Sequence, residues 1–133
     1  MEQQAGKKNK QQKMEEKKMS YDCVCFTDLA YEFSSEEKKE IEKKIKRRLK
    51  YYNLGDYNQD KVDHIRQLKN ELYTEIRLYN KSKYFQETSS RYASLDNFEI
   101  SRMITDYLTT FDKITEEDMY AMLNFAIYLY WLR

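Results

Sequence analysis

Two cysteines and one histidine are the only thiol and imidazole groups this chain brings to chemistry. Cys23 and Cys25 stand one residue apart, and His64 lies in a later segment. A structural zinc site ordinarily uses four such ligands in two spaced pairs. One pair and one imidazole fall short of that. The expectation is two small, partly buried thiols, too close together to staple a fold. His64 follows Asp63 and falls off the apolar stripe of its segment, which predicts a solvated helix position rather than a general base.

Other catalytic sets lack parts. No glutamate is followed three residues later by histidine, the spacing that di-metal helical bundles use. Glycine occurs only at Gly6 and Gly55. A phosphate-cradling loop or a nucleophile elbow needs more glycines than that, close together. The expectation is a non-enzymatic protein with no catalytic, cofactor or metal residues.

Two binding surfaces stand out instead. The first is EKKEIEKKIKRRLKYY, where Lys39, Lys43, Lys46 and Lys50 recur at helical steps. With successive residues about 100° apart, they lie opposite the Ile41, Ile45 and Leu49 stripe. Arg47 and Arg48 extend the positive surface, and Tyr51, Tyr52 and Tyr57 stand close by. Cations interleaved with aromatics suit a phosphate backbone and unstacked bases. The same run also holds Glu40 four before Lys44 and Glu42 four before Lys46, which fits an ordinary solvated helix.

The second surface is the C-terminal run MYAMLNFAIYLYWLR, apolar on nearly every face. Tyr120, Tyr128, Tyr130 and Trp131 exceed what one bundle face normally absorbs, and such residues are enriched at interface centres. The acids Asp112, Glu116 and Glu117 cluster just before it, beside Asp106 and Asp118. The expected protein-binding set is therefore Tyr128, Tyr130, Trp131, Asp112, Glu116 and Glu117. Against it stand two plainer roles: a central core helix for the aromatics, and helix N-terminal charge for the acids.

These residues need elements to hold them. Proline is absent and Gly totals 2, so the many tight turns of an all-β fold are excluded. Residues 1–19 are Lys, Gln and Glu with little to bury, and read as a flexible, disordered basic arm. Residues 20–33 are ambiguous. Cys23 to Phe26 suit a short extended piece, or Thr27 or Asp28 caps a short helix through Phe33, with Leu29, Tyr31 and Phe33 covering the core. Ser34 and Glu37 form a capping box ahead of the basic helix, and Gly55 suits its left-handed stop. Asp56 and Gln59 cap the next stripe, Val62, Ile65, Leu68, Leu72, Ile76 and Tyr79. Residues 84–95 form the main loop. Asp96 with Glu99, and Leu95 with Ile100, mark a third start, followed by Ile100, Met103, Ile104, Tyr107, Leu108 and Phe111. Thr115 with Asp118 marks the last.

The predicted architecture is all-α, a four-helix bundle-like array of two αα-hairpins, with domain 20–133 behind the arm 1–19. Charge is asymmetric beneath a net of +1, which gives a basic and an acidic end. The expected function is an accessory protein that binds a protein partner, or itself as a homo-oligomer, as a regulator or inhibitor. By architectural analogy alone it is encoded by a virus or mobile element. The alternative is nucleic-acid binding through helix 36–52, using Lys39, Lys43, Lys46, Arg47, Arg48 and Lys50. No run suits membrane insertion, and two unlinked thiols predict a cytoplasmic location.

Overall fold

A computed structural model of the chain describes residues 20–133; the arm expected over 1–19 lies outside the described residues. The described residues are all-helical apart from turns and one isolated antiparallel bridge, Phe85 with Phe98. Five α-helices form: α1 (Tyr21–Leu29), α2 (Lys38–Tyr51), α3 (Gln59–Ile76), α4 (Ile100–Thr110) and α5 (Glu116–Ile127). The result is the bundle-like array expected, with α1 as a fifth helix at its centre. Helix α1 packs on α2, α3 and α5, while α4 packs on α5.

The ambiguous segment is thus a helix, and it starts earlier than either alternative allowed. Ser20 is extended, and its hydroxyl accepts from the Cys23 N–H at 3.1 Å, satisfying one orphan donor of the first turn. Three neighbouring helices enclose α1, so Val24, Cys25, Phe26, Leu29 and even Asp28 are buried. Each large apolar side chain covered in this way stabilises the fold by roughly 1.5–3 kcal/mol. The helix ends at Leu29, so Tyr31 and Phe33 do not cover the core as expected; they are 41% and 56% exposed.

The capping box of Ser34 and Glu37 forms, on a short 3₁₀ turn (Ser35–Glu37) that runs straight into α2. The stop of α2 is a Schellman motif. Leu54 N–H donates to Leu49 O at 3.0 Å and Asn53 N–H to Lys50 O at 3.1 Å. Its left-handed residue is Asn53 (φ 53°) rather than Gly55, which takes a second positive φ of 105° in the link. The expected cap pair Asp56 and Gln59 is displaced. Asn58 is the extended residue, and its side chain accepts from the Lys61 N–H. The Gln59 amide instead donates to Glu42 and Asp63.

The stripe Val62, Ile65, Leu68, Leu72 and Ile76 is wholly buried as its spacing predicts, with Lys69 beside it on the same face; Tyr79, expected to continue it, lies past the helix end at a φ of 55° and is 36% exposed. Helix α4 starts at Ile100, and the box before it joins Ser94 to Asn97 rather than Asp96 to Glu99. The reason lies in Phe98, held extended to bridge Phe85, so regular helix cannot begin until that bridge is complete. Asn97 closes the base of the loop, accepting from Ser94 N–H at 2.8 Å and donating to Gln86 O at 3.0 Å. Thr115 caps α5 through the Asp118 N–H, as the sequence predicts. Past Ile127 the helix widens into one π turn (Tyr128–Leu132), with Arg133 N–H donating to Tyr128 O at 3.0 Å. No helix among the described residues is long and apolar enough to cross a membrane.

Candidate partner-docking groove

The aromatic residues of the last helix divide between core and surface. Tyr130 is 5% exposed, and its hydroxyl donates to Ala30 O at 2.7 Å. Burial pushes its phenol pKa upward, with Tyr73 and Tyr31 adding to the effect. Trp131 is half-buried at the centre of an aromatic cluster, 5.4 Å from Tyr79, 5.8 Å from Phe85 and 5.9 Å from Phe98. These two residues of the expected protein-binding set therefore serve packing first. Tyr120 and Tyr128 are exposed eight residues apart with Asn124 midway, Tyr120 on the outer face of α5 and Tyr128 at the start of the π turn that continues it. Asp112, Glu116 and Glu117 are exposed at the start of α5. At 1.5 Å per residue, Glu116 and Tyr128 are roughly 18 Å apart along the axis. The fold does not bring the expected acids and aromatics into one patch.

It assembles another patch that the sequence reading missed. Tyr31 and Phe33 trail from α1 onto the ends of α3 and α5. Together with Tyr73, Arg77, Leu129, Tyr130 and Arg133 they line an open groove of about 460 Å³. Phe33 meets Tyr73 at 5.7 Å and Tyr130 at 6.4 Å; Tyr73 meets Tyr130 edge-on at 4.9 Å. Tyr31 stands edge-on to Phe125 at 6.3 Å. Cations flank these rings on both sides. Lys69 Nζ lies 5.3 Å from the Phe33 ring centre, and the Arg77 guanidinium 5.7 Å from that of Tyr73. A second hollow continues past Phe33 and Tyr73, lined in part by Lys38, Arg66 and Lys69.

Lys69 is only 4% exposed, with its ammonium donating to Glu32 O and to Asn70 Oδ1. Burial lowers its pKa, partly offset by Glu32. Sequence spacing held no signal for this groove, because the expected helix ran through Phe33 and set both rings against the core, whereas the helix ends at Leu29.

The basic helix keeps part of its expected surface. Lys39, Lys43, Lys46, Arg47 and Lys50 are exposed. Arg48 is a correction: Nη1 donates to Asp28 Oδ1 at 2.7 Å and to Thr27 Oγ1 at 3.0 Å, and Asp28 is 2% exposed. It balances a buried charge. Lys46 lies over the Tyr57 ring at 4.8 Å, and Lys43 pairs with Glu40 at 3.6 Å. Glu42, expected opposite Lys46, is taken by Arg66 at 3.0 Å.

Cys23 and Cys25 sit two apart on α1 and so do not face a common point. Cys25 is buried, and the Cys23 thiol donates to Asp118 Oδ1 at 3.4 Å. Burial above all pushes both thiols up to about 12. His64, expected in solvent, is half-buried with its ring 5.2 Å from Phe111. Among the described residues no three His, Cys, Asp or Glu side chains converge as a metal site would need. Comparison with protein-family models, curated proteins and solved structures found no match to this chain.

Proposed function

We propose that the protein is a non-enzymatic accessory protein that binds a protein partner as a regulator or inhibitor. The supporting observation is the groove where the exposed rings of Tyr31 and Phe33 stand open over the half-buried Tyr73 and the buried Tyr130, although the core beneath is closed. Aromatic rings held rigidly at the edge of a packed core are the usual anchors of protein interfaces, since they bury much area at small entropic cost. Tyr120 and Tyr128 offer a secondary contact along α5. The proposal places the protein in the cytoplasm, where free thiols stay reduced.

The test is affinity capture of partners from native extract with the full chain, repeated with nuclease and with Phe33→Ser. Retention of a defined protein that survives nuclease and is lost with Phe33→Ser supports the reading. Capture that nuclease abolishes overturns it. So does a chain that retains no protein and elutes as a monomer.

One observation favours a second reading, nucleic-acid binding through α2. Tyr51 is 81% exposed beside the exposed Lys39, Lys43, Lys46, Arg47 and Lys50, an open ring next to solvent-facing cations. It predicts binding to single-stranded probes that weakens steeply with salt and is lost on reversing Lys43, Lys46 and Lys50.

A further inference from the structure

The charge around the groove is one-sided. Arg77 and Arg133 line it, and Lys69 and Lys38 line the hollow that continues past Phe33 and Tyr73. None of these four cations is within ion-pair distance of a carboxylate among the described residues. The contrast with the rest of the molecule is specific. Arg66, which lines the same hollow, is fully matched by Glu32, Glu42 and Asp63, and Arg48 by Asp28. The only acidic side chain lining either depression is Glu32, held by Arg66 through both carboxylate oxygens. The fold thus neutralises Arg48 and Arg66, satisfies the buried Lys69 through the Glu32 carbonyl and Asn70, and leaves Arg77, Arg133 and Lys38 beside the open rings unmatched.

Resting on the partner-binding reading above, we infer that this groove takes an acidic peptide segment of the partner. One apolar side chain of that segment, aromatic or branched aliphatic, seats between Phe33, Tyr73 and Leu129. Flanking Asp or Glu carboxylates reach Arg77 and Arg133 at one end and the Lys38 side of the hollow at the other. Apolar contact holds the anchor, while the matched potentials fix orientation and speed encounter. A basic segment meets repulsion from the same cations, so the groove discriminates by sign as well as by shape. The acidic start of α5 does not compete for it within the chain, since that cluster lies at the opposite end of the helix from Leu129.

Selection of random twelve-residue peptides displayed on phage, against the immobilised full chain, tests this. Clones enriched over a Phe33→Ser control should carry Asp or Glu on both sides of an aromatic or aliphatic residue. Synthetic copies of those clones should lose roughly tenfold or more in affinity for Arg77→Glu, and weaken several-fold between low and moderate salt. Both altered positions, Phe33 and Arg77, are at the surface, so unchanged helical circular dichroism verifies the variants. Enrichment of neutral or basic peptides that depends on Phe33 overturns the acidic partner while leaving partner binding in place. Enrichment indifferent to Phe33 overturns the groove as the site. Absence of any enriched peptide, or a dimer that Phe33→Ser dissolves, rejects the peptide occupant; the extract capture described above then decides separately whether any partner protein exists.

Discussion

The Tyr130 hydroxyl reaches the carbonyl of Ala30 at 2.7 Å, joining the two ends of the described chain across 100 residues. This bond ties the π turn after α5 to the C-terminus of α1, and the groove lies between the two. It also satisfies a carbonyl that the end of α1 leaves open. Tyr130→Phe removes the donor and keeps the ring. The expected loss is about 1–2 kcal/mol, the cost of a buried carbonyl without a partner. Chemical denaturation should show a lower midpoint with an unchanged slope. A midpoint equal to that of the parent protein would show that the bond contributes nothing.

Arg48 separates packing from surface charge on α2. Arg48→Ala leaves Asp28 as a buried carboxylate without its close cation, with Lys44 the nearest at 3.7 Å. The expected loss is on the order of 3 kcal/mol. Arg47→Ala, one residue away and exposed, should change stability by under about 0.5 kcal/mol. Pairing Arg48→Met with Asp28→Asn should recover most of the loss, because the uncompensated charge is then gone. Equal effects of the Arg47 and Arg48 substitutions in thermal melts would contradict this assignment.

Arg66 makes stability depend on acid. Burial pushes Glu42 up, but the hydrogen bonds from Gln59 and Arg66 and the Arg66 charge outweigh it, leaving the carboxyl below its ordinary value. A carboxylate depressed in the folded state stabilises the fold fully above its unfolded pKa of roughly 4.3. That contribution is lost as pH falls through the lower folded value. Stability should therefore decline below about pH 4 in the parent protein. Arg66→Leu should lower stability at neutral pH by about 3 kcal/mol and flatten this acid limb. An acid limb of unchanged steepness in urea titrations from pH 7 to 3 would place the dependence elsewhere.

The thiols should be slow. With both pushed up to about 12 from an ordinary 9.0, the thiolate share at pH 8 falls on the order of a thousandfold. Iodoacetamide should label the native protein at least about a hundredfold more slowly than the unfolded chain, with Cys25 slower than the half-buried Cys23. Mass spectrometry of timed samples reads this directly. Native labelling of Cys25 at the unfolded rate would mean that α1 does not sit inside the array.

Local pattern determined much of this protein. The stripe from Val62 to Ile76, the Ser34 box and the Thr115 cap each depend on residues within a few positions, and each formed where its spacing said. Elements whose bounds answer to distant partners shifted. Helix α4 waits for Phe98 to bridge Phe85, and Gln59 left its expected capping role for Glu42, a contact to another helix. Helix α1 was ambiguous because three helices bury it, which erases the alternation between apolar and polar faces that marks a surface helix.

Sequence alone also fixed the chemical inventory: two thiols, one imidazole, a cationic helix and an aromatic C-terminal run. Only the tertiary structure decided which of these face solvent. Spacing reports the side of a helix a residue occupies, not which neighbour covers that side. Tyr130 went inward because Ala30 O lay within reach, and Arg48 because Asp28 needed a cation. Tyr31 and Phe33 stayed outward because α1 ends before them and no element among the described residues crosses over them. Exposure is a property of the assembled helices, and the groove exists only where α1, α3 and α5 come together.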